Sequence, residues 1–228
     1  YSIDIEELTR ALSGGTIGSR IHHLSIISST MDEVRNLAEA GGLEGTVVLA
    51  DEQTDGRGRF GRTWYSKPGQ DLSFTVLLRP ATEQLAQMNM AAALAVCSSV
   101  EGLTGHKATV KWPNDVRVGG RKISGVLVEA ALDSTRVLFA CLGIGINVNL
   151  RVENYPDICE LATSLSKLSG GPVSRESVLL RVLLELDRLY TEVKSGVSLI
   201  ASWTTRLDTL GSRVVLSVGE RIEGLARD

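Results

Sequence analysis

The sequence predicts an α+β fold, a mixed and largely antiparallel sheet with helices set between its strands. Three observations carry that expectation. Apolar runs of strand length stand at 46–50 (TVVLA) and 72–78 (LSFTVLL). The stretch 110–148 reads as a meander, because Gly119-Gly120 and Asp133-Ser134 mark the tight reversals that make neighbouring strands antiparallel. Helical spacing appears at 84–103 and 176–194, on either side of that meander.

Taken in order, IDIEELTRAL at 3–12 has helical periodicity, and Gly14 and Gly15 end it. IHHLSII at 21–27 is a short apolar run. The SST that follows offers hydroxyls to cap a helix at 31–40, with Thr30 and Glu33 spaced as a capping box. TVVLA is a buried strand. After it, residues 51–70 run for twenty positions with almost no apolar periodicity, which marks a functional or mobile loop. LSFTVLL is the next strand, closed by Pro80, and the Ala-rich helix 84–103 lies against the sheet. The stripe Leu179, Leu183, Leu186 and Tyr190 is core packing. A further helix is expected at 198–210 with Gly211 as its C-cap. RVVLSV and RIEGLAR then alternate like strands, and two strands alone are marginal. The expected division is a domain over 1–210 and the beginning of a small β module over 211–228. An opening Tyr1 in place of Met suggests a segment of a longer product.

Composition narrows the function classes. The chain of 228 residues has a net charge of -3, which argues against a broad nucleic-acid surface, since counterion release requires cations. The longest apolar run, 137–148, is too short to span a membrane, and the acidic start YSIDIEELTR is no secretory signal. Cys97, Cys141 and Cys159 have no CxxC spacing and lie in apolar stretches, so buried free thiols in a reducing cytoplasm are expected. His22, His23 and His106 are too scattered to make a zinc site with them.

Gly56-Arg57-Gly58-Arg59-Phe60-Gly61-Arg62 formally satisfies GxGxxG, yet RTWYSKPGQ follows with no helical stripe, and 77–80 occupies the place of the ribose-binding acid. A dinucleotide fingerprint therefore fails on context. A flexible glycine loop with three Arg remains, suited to wrapping a small anion or, equally, to being a solvated basic loop. Asn114 and Asp115 in the turn KWPND (111–115) either cap the backbone or orient a ligand, with Asp115 near a metal or an incoming amine. GIGIN (143–147) places two glycines inside an apolar strand, which weakens it unless something must approach closely. No Walker A motif is present.

Together SST (28–30), QTDGRGRFGRTW (53–64), KWPND, GRKISGVLVE (120–129) and GIGIN resemble the biotin protein ligases, in order and with similar spacing over roughly 26–149. The resemblance implies a catalytic domain like that of class II aminoacyl-tRNA synthetases, followed by an SH3-like barrel cut short at Asp228. It implies activation of biotin with Mg-ATP to biotinyl-AMP and transfer to a lysine of a biotin carboxyl carrier domain; composition adds no membrane or nucleic acid as partner, and a homodimer is the oligomer considered. By motif, Ser29, Thr30 and Gln53 would hydrogen-bond the ureido head, Arg57 and Gly58 would close on the tail, and Met31, Gly56 and Gly125 would also border biotin. Arg59 and Lys122 would neutralise carboxylate and α-phosphate. Arg62, Trp64, Asn114, Gly143 and Asn147 would serve ATP, and Asp115 would hold Mg2+ or the acceptor lysine. Met31 stands where the family often has Asn, and Ser28 where it often has an acid. A biotin-sensing regulator with an upstream DNA-binding domain and a lipoyl or octanoyl ligase are the alternatives.

Overall fold

A computed structural model of the chain describes residues 3–64, 67–218 and 220–227. Tyr65 and Ser66 of the expected loop, and Asp228, lie outside them. The order is α1 (Ile5–Ala11), β1 (Ile21–Ile27), α2 (Thr30–Glu39), β2 (Val47–Gln53), β3 (Leu72–Leu78), α3 (Leu85–Thr104), β4 (Ala108–Lys111), β5 (Asp115–Val118), β6 (Arg121–Asp133) and β7 (Arg136–Ile146). α4 (Leu165–Ser169), α5 (Arg175–Lys194), α6 (Ile200–Thr204), β8 (Arg213–Val218) and β9 (Glu220–Leu225) complete it.

Among the described residues, β1 to β7 form one sheet in the order β1-β2-β3-β7-β6-β5-β4. Only β1 and β2 run parallel; the other neighbours are antiparallel, as the hairpins require. Gly119 and Gly120 have φ of 57° and 78°, and Ser134 has φ of 52°, so both reversals close with left-handed residues.

The alternation of side chains divides the sheet sharply. One face presents Val47, Leu49, Phe74, Val76, Val126, Leu142 and Ile144 to α3 and α5, forming the main core with Tyr190 and Leu186. On the other face, α2 sets Met31, Val34 and Ala38 against Val48, Leu77, Phe139 and Cys141. α2 is ten residues long, about 15 Å, and leaves part of its face uncovered. The row Thr75–Gly143–Leu127 lies at the first turn of α2, and the uncovered part begins with the next row, Ser73–Gly145–Gly125.

Several expectations require correction. The cap of α2 is Ser29, whose Oγ accepts from Met31 N at 3.3 Å, so Thr30 and Glu33 form no capping box. Thr30 is already helical and its hydroxyl is drawn to Gln53 and Thr75 instead. The helix expected at 198–210 stops at Thr204, because the chain turns to lay 206–208 along the edge of β4, with Val110 N donating to Arg206 O and Asp208 N to Val110 O. Gly211 is consequently not a helix cap; its N–H bonds Ala226 O. The short helix α4 was not expected, and Cys159 is only half-buried, its Sγ donating to Pro156 O. Cys97 and Cys141 are buried, and burial pushes their thiols up to about 12 and about 11, which makes them inert packing groups.

Candidate functional site

The uncovered part of the sheet is the floor of a pocket, and the segment 54–64 is its roof. The segment is folded. Arg57 and Thr63 form a β-bridge, Arg59–Gly61 is a single 3-10 turn, and Gly58 N donates to Arg62 O at 2.7 Å. It returns because Trp64 N bonds Gly56 O at 2.8 Å. Gly61 at φ 69° and Phe60 at φ 59° form the reversal, and Phe60 is 86% exposed at its tip.

Trp64 fastens this roof to the floor. A Cβ built on Gly145 would lie 2.3–2.8 Å from three atoms of the indole, and one on Gly125 would lie 3.3 Å from it. The indole therefore rests on adjacent glycines of β6 and β7, which explains the second of the two glycines in the otherwise apolar strand β7. A Cβ on Gly143 would stand 2.7 Å from Met31 Sδ, so that glycine admits the first turn of α2.

One end of the pocket is neutral and rich in hydrogen bonds. Thr30 donates to Gln53 Oε1 from both N (2.8 Å) and Oγ1 (3.0 Å), and its hydroxyl meets that of Thr75 at 2.8 Å. Ser29, Thr30 and Thr75 are buried. The opposite end is cationic. Lys122 Nζ lies 2.6 Å from Asp115 Oδ1 and 5.6 Å from the Trp64 ring centroid. Arg59 donates to Asn114 Oδ1 at 3.4 Å and stacks on Phe60, while Asn114 Nδ2 donates to Val126 O at 2.8 Å. Arg57 pairs with Asp32 at 2.5 Å, and that hydrogen bond holds its guanidinium pKa above the ordinary value. The KWPND turn, in which the Trp112–Pro113 peptide is cis, is held from α3 by Asn89 Nδ2 donating to Pro113 O.

The walls thus bring together Ser29, Thr30, Met31, Gln53, Arg57, Gly58, Arg59, Trp64, Asn114, Lys122, Gly125 and Gly143. Gly56 stands just behind, where a Cβ would lie 3.2 Å from Gln53 Nε2. Asp115 reaches the site only through Lys122. Arg62 and Asn147 are not on the wall: Arg62 is exposed, and Asn147 is 5% exposed with its amide donating to Thr163 O at 3.0 Å. Sequence reasoning missed Ser73, Phe74, Thr75, Val126, Leu127 and Ile144 as wall residues, and flagged Gly145 only as a point of close approach. The signal for Ser73 and Thr75 was available, as two hydroxyls on one face of an apolar strand. No group of three or more His, Cys, Asp or Glu converges among the described residues. Asp115 is the carboxylate beside the cationic end, and in this structure it is paired with Lys122.

The carboxyl-terminal root of the loop is anchored by Asp71, 2% exposed, whose Oδ1 accepts from Val148 N at 2.9 Å, while Gln70 O accepts from Asn149 N. Burial raises its pKa to about 6, against the pull of nearby backbone amides. Because the folded value exceeds the ordinary carboxyl value of 3.8, the folded chain takes up this proton first, and the contribution of Asp71 to stability rises as pH falls from 6 towards 4. We expect Asp71→Asn, which keeps the acceptor and removes the charge, to be more stable than wild type at pH 7 by at most about 3 kcal/mol. Near pH 4 the two should coincide. Urea titrations at pH 4, 5, 6 and 7 measure this, and a variant less stable at pH 7 contradicts it.

Comparison with known proteins identifies the family of the chain. The profile described as the Biotin/lipoate A/B protein ligase family covers residues 24–147, more than half of the chain. The chain is 36% identical over 189 residues to a Bifunctional ligase/repressor BirA of Bacillus spizizenii, covering 82% of this chain and 58% of that protein. It is 32% identical over 225 residues to a Biotin--[acetyl-CoA-carboxylase] ligase of Mycobacterium tuberculosis, covering 92% of this chain and 81% of that one. Its fold resembles the solved biotin protein ligase of Aquifex aeolicus in complex with biotin and ATP, with a TM-score of 0.77, 33% identity, and 90% and 86% of the two chains covered. A profile that begins in β1 and ends just past β7 spans the strands, the glycine roof and the cationic turn that make the pocket, and the chain belongs to the biotin/lipoate A/B protein ligase family, among its biotin protein ligases.

Proposed function

We propose that the chain joins biotin to protein in two steps. An oxygen of biotin's carboxylate attacks the α-phosphorus of ATP, pyrophosphate leaves, and biotinyl-5'-AMP remains bound. The amine of a carrier lysine then attacks the acyl carbon, AMP leaves, and the amine gives up a proton. The observation that carries this reading is the polarity of the pocket, with a neutral hydrogen-bonding end at Ser29, Thr30 and Gln53 and a cationic end at Arg57, Arg59 and Lys122. A ureido ring buried at the first end has its polar atoms satisfied, and the second end offsets the repulsion between carboxylate and phosphate.

In this reading Arg59 and Lys122 meet the reacting anions, Trp64 and Gly58 close the tail, Asn114 borders the nucleotide, and Gly143, in the row of Thr75 beneath Met31, borders the ureido end instead of the ATP side expected from the motif. Arg62, exposed on the roof, and Asn147, whose Nδ2 donates to Thr163 O, are assigned to the nucleotide side on the strength of the motif alone. Magnesium arrives on the triphosphate, and Asp115 orients Lys122 or the acceptor amine. The partner is a biotin carboxyl carrier domain, as the name of the mycobacterial relative suggests. The reading includes a catalytic domain over 1–210 akin to class II aminoacyl-tRNA synthetases, and an SH3-like module beginning at 211, supported by the hairpin β8–β9. It also includes a cytoplasmic setting, supported by free thiols, and a homodimer, supported by the unpaired sheet edge at β1. No described helix is long and apolar enough to cross a membrane.

Biotin-dependent exchange of labelled pyrophosphate into ATP tests the first step, and transfer of labelled biotin to a carrier domain tests the second. Both are expected. Exchange supported by lipoate and not by biotin would assign the lipoyl alternative, and activity with neither would refute the proposal. The chain spans 58% of the length of the Bacillus relative, whose name also includes a repressor. A second reading as a biotin sensor on DNA rests on that name, and a mobility-shift assay with the whole protein decides it.

A further inference from the structure

We infer that Ser73 is a further substrate-contacting residue of this pocket, one whose hydroxyl donates to the ring sulfur of biotin; the inference rests on the ligase reading above. Ser73 is 3% exposed, lies on the pocket wall, and its Oγ has no hydrogen-bond partner among the described residues. A buried hydroxyl left unpaired gives up its bonds to water and gains none in return, so it is costly to keep without a ligand. Where the floor needs only room, the chain carries glycine, at positions 125, 143 and 145.

The register assigns the hydroxyl its ligand atom. Thr75, Gly143 and Leu127 form the cross-strand row at the neutral end, where Thr30 reaches Thr75. Ser73, Gly145 and Gly125 form the next row, and a Cβ on Gly125 would lie 3.1 Å from Lys122 Nζ. Ser73 therefore stands between the end that holds a ureido group and the end that holds a carboxylate. Trp64, laid over the same row, also buries an Nε1 without a partner, so two donors face this row and neither has an acceptor. Between its ureido ring nitrogens and its carboxylate, biotin has one heteroatom, the thioether sulfur, a weak acceptor.

The test is isothermal calorimetry of wild type and Ser73→Ala with biotin and with desthiobiotin, which lacks the sulfur. Ser73→Ala is expected to weaken biotin about 3- to 10-fold and to leave desthiobiotin within about 2-fold, so that the preference for biotin shrinks by the same factor. Equal weakening of both ligands, or no weakening of biotin, overturns the assignment. Ser73→Thr, which keeps the hydroxyl, separates a hydrogen bond from packing if it retains the preference. Biotin-dependent pyrophosphate exchange by wild type is measured alongside, because its absence refutes the ligase reading, whereas exchange with an unchanged preference refutes only the role of Ser73.

Discussion

Lys122→Ala lowers biotin-dependent pyrophosphate exchange by about 100- to 1,000-fold while leaving the thermal midpoint within a few degrees of wild type. Two effects add in this expectation. The ammonium at the cationic end is lost, and the Asp115 carboxylate it neutralises at 2.6 Å is left facing the place where two anions must meet. The fold does not depend on that side chain, since Lys122 is held through its backbone, its N–H donating to Leu161 O and its carbonyl accepting from Thr163 N, both at 2.8 Å. The pair can be separated by a double-mutant cycle. Asp115→Asn in the Lys122→Ala background should recover part of the loss, whereas in wild type it should not improve exchange. A Lys122→Ala enzyme within about 3-fold of wild type would remove Lys122 from the reaction.

Gly145→Ala has an effect of comparable size for a steric reason. The added Cβ would meet Cε2, Cζ2 and Nε1 of Trp64 at 2.3–2.8 Å, and these belong to a rigid ring rather than to the end of a flexible chain. The indole must leave its seat and lift the roof with it, so exchange is expected to fall about 100-fold, the cost of misplacing binding groups by an ångström or so. Stability should change little, because alanine in a strand offsets about 0.5–1 kcal/mol of glycine's backbone entropy. Trp64→Ala combined with Gly145→Ala should be no worse than Trp64→Ala alone. Gly143→Ala is the contrast, since its Cβ meets the sulfur of Met31, which can rotate away, and a milder loss is expected. Equal activities for Gly145→Ala and wild type would show that the seat of Trp64 is not needed.

How much of this was legible depends on the range of the interactions. β3 and the hairpins of the meander follow from local alternation and from residues able to take positive φ, and the structure has them. The stop of α6 was not legible, because residues 206–208 bond an edge strand nearly a hundred positions earlier. The same holds for Thr30, whose hydroxyl serves Gln53 and Thr75 rather than the helix start. Asn147 reads like a ligand residue, yet its amide is spent on Thr163.

By itself the sequence determined the element types, the glycine roof and the supply of cations, because turn chemistry and side-chain period act within a few residues. It also held the order of motifs that identifies the family. Only the tertiary structure decided which face of the sheet α2 leaves bare, and that Ser73, Gly145 and Gly125 lie side by side on it under Trp64. That arrangement is set by register between strands far apart in the chain, and register is a property of the packed sheet that no single strand encodes.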